Sequence, residues 1–240
     1  MIHPMKKFLL TAFLSVLCFC SAFAQKQLVI EHKYSSFSDI YANDYFDITL
    51  IPSSSYSVKL ITDTSMEDYV QAYVKDDAMV LHLDIKGMPK DVRKEFFDAW
   101  NGKPRITAEV MMPFVRKVTL EGNSSICSFE EIITSGNVEF ILSRDSSVPS
   151  LSLKSKSFLL SLVNKATAVM TVEAASIEAD VDNNASAELT LVSNRLSVFA
   201  GGFAKCELYG SAKKILFQTE GRSKILFNDD YDGTGSGQSL

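Results

Sequence analysis

Six residues near the end of the chain, Asn228-Asp229-Asp230-Tyr231-Asp232-Gly233, have the oxygen-rich spacing that opens a calcium loop. Such a loop closes on a bidentate acid at its twelfth position, and that position is Ser239. The segment reads equally well as a solvated tail. Asp180, Asp182 and Asn184 stand at i, i+2 and i+4, which on a strand is one face. Val181 between them is an apolar core candidate, so both aspartates are expected to face solvent, where any cation site would be weak. Histidine is sparse: His3, His32 and His82 are the only three. His32 and His82 fall on separate strand-like segments, with no second His or Cys at a zinc spacing. The sequence has no GxSxG, HExxH or P-loop pattern. Serine is abundant, but it sits where turns are expected. Phe199, Tyr209 and Trp100 are candidates for stacking on sugars, although no aromatic row runs through the chain. No Lys or Arg cluster marks the groove of a polysaccharide lyase. The reading assigns no catalytic, cofactor-binding or metal residue.

The elements that would carry any site begin after a leader. Lys6 and Lys7 precede an apolar run from Phe8 to Phe19, and Ala22-Phe23-Ala24 offers small residues before Gln25. This is the pattern of a secretory signal peptide over residues 1–24, too short to span a bilayer as an ordinary helix. Cys18 and Cys20 follow Leu17 and Phe19, bulky residues that do not suit a lipid-attachment site. Taking Lys6 and Lys7 from 24 basic residues leaves 22 against 29 acidic ones, a net charge of −7. That balance argues against a nucleic-acid partner. No later apolar run approaches membrane-spanning length, so no transmembrane segment is expected after the leader.

The second half repeats. Val118, Phe140, Leu160, Ala179, Val198 and Phe217 form one column, with Leu120, Leu142, Leu162, Val181, Ala200 and Thr219 two residues on. A second pair of columns reads Cys127, Leu151, Met170, Leu189, Cys206, Ile225 and Phe129, Leu153, Val172, Leu191, Leu208, Phe227. Phe158, Ile177, Leu196 and Ile215 add a further inward position, and the middle copies recur every 19 residues. Spacing of i, i+2 marks strands with one buried face. Asn, Asp and Gly between them suit tight corners. A fixed period near 20 residues, with strand pairs and polar corners, signals a solenoid. The fold expected is all-β: a right-handed parallel β-helix of about six coils over residues 113–228, spaced by about 4.8 Å. An antiparallel sandwich is the competing architecture. In the β-helix, Cys127 and Cys206 lie in one column but four coils apart, too far for a disulfide, so both are expected as free thiols.

Residues 25–112 lack the period and read as a β-rich cap covering one end of the solenoid. Strands are expected at 46–51, 56–61, 79–85 and 106–112, with turns at 52–55 and 75–77. Ser65 to Asp68 resembles a capping box. Lys90 to Trp100 reads as a short amphipathic helix, with Val92, Phe96 and Trp100 on one face. Residues 229–240 are expected to be a disordered tail.

Phe37-Ser38-Asp39-Ile40 with Phe46-Asp47-Ile48, and the strand that ends at Pro113 before the first coil, resemble the putative auto-transporter adhesin, head GIN domain family of Bacteroides-type exported proteins. The resemblance covers residues 28–227. The family's usual Gly-Ser-Gly corners are replaced here by EGNSS, DNNAS and GGFA, and the Lys90–Trp100 helix looks like an insertion. The resemblance implies a β-helical fold and export to the periplasm or cell surface, and it carries no catalytic residues. The function expected is a non-enzymatic adhesin or surface-interaction module whose partner is a glycan or a surface protein. The alternatives are a periplasmic envelope protein and a carbohydrate-active enzyme on the same scaffold.

Overall fold

A computed structural model describes residues 27–99, 106–228 and 232–239. The signal-peptide segment and Trp100 lie outside the described residues. The first half holds β1 (Gln27–Lys33), β2 (Asp39–Asn43), β3 (Phe46–Pro52), β4 (Ser57–Asp63), β5 (Val70–Lys75), β6 (Ala78–Leu83), α1 (Lys90–Ala99) and β7 (Ile106–Met112). Short strands β8 (Lys117–Glu121), β9 (Ser125–Cys127), β10 (Ile132–Ile133) and β11 (Asn137–Arg144) follow. Four long bent strands come next: β12 (Ser147–Asn164), β13 (Thr167–Asn183), β14 (Ser186–Ala200) and β15 (Lys205–Thr219). The chain closes with β16 (Lys224–Phe227) and β17 (Asp232–Ser239). The result is a β-solenoid of about six turns.

The coils stack in parallel register because each buries its apolar face only against its neighbours. Phe140 pairs with Val118 on one side and Leu160 on the other, and the column continues through Ala179, Val198 and Phe217. The column from Leu120 to Thr219, and that from Phe158 to Ile215, also hold. A corner stacks too. Gly122, Arg144, Asn164, Asn183, Gly202 and Gly221 all take positive φ, the left-handed backbone that turns one strand into the next coil. Two residues beyond each stands a small side chain: Ser124, Ser146, Ala166, Ala185, Ala204 or Ser223. The first five of these are fully enclosed, since the chain folds back too tightly there for a longer side chain. Ser146 Oγ donates to the Ser143 carbonyl at 2.8 Å, which satisfies a corner carbonyl locally.

Two expected columns are corrected. In the first coil Ile126, not Cys127, faces the core, and Phe129 is 91% exposed. Ile132 pairs with Leu153 in the place expected for Phe129. The loop between β9 and β10 lets the chain leave the sheet and return, which breaks the i, i+2 count. Further on, Cys206 pairs with Ala187 rather than Leu189, and Leu191 faces Gly210 rather than Leu208. Cys127 and Cys206 are both free thiols, but they do not share a column.

The first half enters the same ladder. Strand β2 lies between β6 and β8, all parallel, so Met79, Ile40 and Val118 extend the main column. Strand β3 lies between β7 and β9. Residues 39–52 therefore form a coil inside the stack, and the sheet runs unbroken across residue 113. Among the described residues, antiparallel pairing appears only at the outer margin, where β1 meets β4, β4 meets β7 and β5 meets β6. The expected capping box is replaced by Asp63, whose carboxylate accepts from the Ser65 N–H at 2.9 Å and opens a single 3-10 turn at Thr64–Met66. Helix α1 buries Phe96, and the Phe97 ring meets Tyr45 edge-on at 5.4 Å. At the other margin, residues 232–239 are a strand, not a disordered tail: Ser211 to Thr219 of β15 pair with them in parallel. An open sheet edge offers unpaired backbone groups, and a Gly-Ser segment of low charge can join it through its backbone alone.

Candidate functional site

Each long strand bends where two successive residues face outward. The bend triplets are Ser155-Lys156-Ser157, Ala174-Ala175-Ser176, Ser193-Asn194-Arg195 and Ala212-Lys213-Lys214. They stack in register, with Ser155, Ala174, Ser193 and Ala212 in one column and Ser157, Ser176, Arg195 and Lys214 in another. Small side chains let the strand turn without opening the core. Ser155 Oγ donates to the Ser157 carbonyl at 3.1 Å and so closes its own bend. Ser193 Oγ, on a residue 8% exposed, has no hydrogen-bond partner among the described residues. A buried hydroxyl left unpaired is destabilising. Ser193→Ala, which extends the alanines on either side, is therefore expected to raise unfolding free energy by about 1 kcal/mol in a urea titration. A loss of that size would mean that the hydroxyl is satisfied in solution.

Two clefts lie along this bend. One, of about 690 Å³, is lined by Lys154, Glu173, Val192, Ser193, Asn194 and Lys213 among others. The second, of about 630 Å³, runs past Arg116, Asn137, Glu139, Ser176, Glu178 and Arg195. Their flanking charges are mostly paired across coils. Lys154 Nζ sits 2.6 Å from Glu173, and Lys117 Nζ 2.9 Å from Glu139. Arg116 donates both Nε and Nη2 to the Asp39 carboxylate at 2.9 Å, and Asp77 lies 3.5 Å away. The hydrogen bond to Glu173 holds the Lys154 ammonium above its ordinary value.

The residues singled out from the sequence do not converge. His82 Nδ1 lies 3.2 Å from Asn43 Oδ1, which also accepts from the Leu83 N–H, so this pair ties β6 to β2. His32 is exposed on β1, its ring 6.3 Å from that of Tyr34. Asp180 faces outward as expected; burial, then Glu178, pushes its carboxyl above the usual carboxylate range. Asp182 accepts from the Asn183 N–H at 2.7 Å, and Asn184 is exposed at the corner. Asn228 donates its backbone N–H to the Leu208 carbonyl at 3.0 Å. Asp229, Asp230 and Tyr231 of the calcium-like segment lie outside the described residues, while Asp232 and Gly233 open β17. Among the described residues no group of three or more His, Cys, Asp or Glu is placed to hold a metal ion. Phe199 stands in register between Asp180 and Gln218, and Tyr209 beside Thr190, so the outward aromatics form no row. Desolvation, then Glu207 and Glu188, raises the Tyr209 hydroxyl above its ordinary value.

The bend was missed in the sequence because its triplets look like the polar gaps between apolar columns. The signal that finds it is their shared composition at the 19-residue period, small residues with Lys and Arg and no acid.

The two cysteines differ chemically. Burial, then Glu207, pushes the Cys206 thiol from 9.0 up to about 12, whereas Cys127 is partly exposed. The raised value means that keeping Cys206 neutral contributes fully to stability below about pH 9, and that contribution is lost as the pH rises towards about 12. Iodoacetamide at neutral pH is expected to label Cys127 in the native protein, and both thiols after denaturation without reductant. Native labelling of Cys206 at the rate of Cys127 would contradict its enclosure.

No curated protein sequence matches the chain. Its fold is shared with solved structures. A putative adhesin from Parabacteroides distasonis superposes with a TM-score of 0.61 at 14% identity, over 90% of this chain and 98% of that one. A putative adhesin from Parabacteroides merdae gives 0.51 at 11% identity, over 90% and 97%. One from Bacteroides fragilis gives 0.50 at 12% identity, over 90% and 98%. Among the described residues no helix is long and apolar enough to cross a membrane. The family model for the putative auto-transporter adhesin, head GIN domain, matches residues 36–229, the stacked ladder from β2 to β16, and the chain belongs to that family.

Proposed function

We propose that this protein is exported by its N-terminal leader and works at the cell surface as a non-enzymatic module that holds a glycan or a surface protein. The observation that carries the reading is the unbroken parallel ladder from β11 to β15, which presents the same outward positions coil after coil. A stiff stack of this kind offers an extended binding surface that needs no moving parts. Membership of an adhesin-named family and the secretory pattern of residues 1–24 support the same role.

Protease treatment of intact cells, followed by antibody detection, tests the location. Digestion of this protein while a periplasmic marker survives is the expected result. Protection until the outer membrane is opened would overturn the surface role and favour an envelope protein facing the periplasm.

A further inference from the structure

We propose that the bend of the solenoid binds a polyanionic polysaccharide, a chain with repeated sulfate or carboxylate groups, laid along the coil axis. This deepens the surface-interaction reading and rests on it for biological setting, though not for chemistry. The twelve bend positions hold four basic residues, Lys156, Arg195, Lys213 and Lys214, and no acidic one. The chain as a whole has 29 acidic residues against 24 basic. The strip is thus set off from the surface around it.

Its charges are also placed against each other. Arg195 and Lys214 are direct neighbours in register, and the residue on the other side of Arg195 is Ser176. Like charges on adjacent strands repel. Lys117 and Lys154, by contrast, face Glu139 and Glu173 across the same kind of interval. Neither Arg195 nor Lys214 has an ion pair among the described residues. An anion lying between them would turn that repulsion into attraction.

The surroundings fit a sugar polymer. The cleft of about 690 Å³ beside the strip is walled by Ser155, Ser193, Asn194 and Ser211, which can bond to hydroxyl groups, and by Lys213; its one carboxylate, Glu173, is paired with Lys154 of the same wall. The Ser193 hydroxyl, nine-tenths buried, still lacks a partner. No aromatic side chain lines this cleft, so it has nothing on which a nucleic-acid base would stack. Coils repeat at about 4.8 Å, which gives the strip a regular spacing that only a polymer can use along its length.

The test is calorimetric titration of the purified mature protein with dextran sulfate, polygalacturonate, duplex DNA and, as the uncharged control, dextran. Binding to at least one polyanion, weakened by salt, and none to dextran is expected. The preferred polyanion tells sulfate from carboxylate. Arg195→Ser/Lys214→Ser, at exposed positions, is expected to weaken polyanion binding about tenfold. Lys90→Ser/Lys94→Ser removes the same charge from α1 and should stay within about twofold. Equal losses in both variants would show a response to net charge alone and overturn the site, as would no polyanion binding or equal binding of duplex DNA. Failure here with surface exposure intact leaves the adhesive reading standing. Binding here in a protein protected by the outer membrane would instead sink only the surface reading.

Discussion

Replacing Gly210 with alanine is expected to destabilise the protein by about 3 kcal/mol or more. Gly210 lies in the middle of β15 with φ +91, outside the regions that residues with a Cβ adopt readily. A Cβ placed there would come 2.1 Å from the Leu191 carbonyl oxygen and 3.1 Å from the Leu191 carbonyl carbon and nitrogen. These are backbone atoms of the preceding coil, and they cannot retreat because Leu191 is locked in register with Val172 beyond it. Urea unfolding of Gly210→Ala checks this, with Gly136→Ala as a control. At Gly136 the nearest atom to an added Cβ is Thr134 Oγ1 at 3.6 Å, an ordinary contact. A loss under about 1 kcal/mol at Gly210 would contradict the close approach of β15 to β14.

Gly210 also explains where the sequence stopped being legible. From Leu153 to Val172 to Leu191 the column is carried by branched apolar residues, and the next member should be apolar as well. It is glycine, so a pattern search slides two residues to Leu208 and drags Cys206 into the wrong column. The neighbouring strand of each coil has no such gap, and the columns through Leu160 and Leu162 could be read without error from Val118 to Thr219. The corner at Asn164, Asn183, Gly202 and Gly221 was equally readable, because the residue types that tolerate left-handed backbone are few. Arg144 holds the same corner with φ 65 and carries no such signal.

The first half resisted for a different reason. Strand β2 pairs with β6 and β8, so its partners lie on both sides of it in space but only later in sequence. Periodicity reports neighbours at a fixed separation, and this coil has none. The candidate site was the least legible part. Arg195 and Lys214 are 19 residues apart and ordinary one at a time. The Leu196–Ile215 column next to them sets their register, but that both lie exposed with no ion pair among the described residues shows only in the folded chain. The carboxylates at Asp180 and Asp182, which caught attention as a motif, are turned outward beside a core valine and gather no third ligand among the described residues.

Phe140→Ala is expected to cost about 3–5 kcal/mol, a large share of the stability of a typical domain. Phe140 is fully enclosed on β11, between Val118 of β8 and Leu160 of β12. Its ring meets Phe158 edge-on at 5.7 Å, an arrangement that adds to simple burial. The strand stands where the irregular first coils meet the repeating 19-residue ones, and in a stacked fold each coil is stabilised by its two neighbours alone. Truncation here therefore leaves a void that both interfaces share. The comparison that makes the test sharp is Phe129→Ala. The sequence pattern places Phe129 and Phe140 alike in inward columns, whereas the structure leaves Phe129 91% exposed. Phe129→Ala is accordingly expected to change unfolding free energy by less than about 0.5 kcal/mol. Urea midpoints for the two variants, measured side by side, decide between the column count and the folded register. A larger loss at Phe129 than at Phe140 would put the first coil back on the i, i+2 pattern and displace Ile126 and Ile132 from the core.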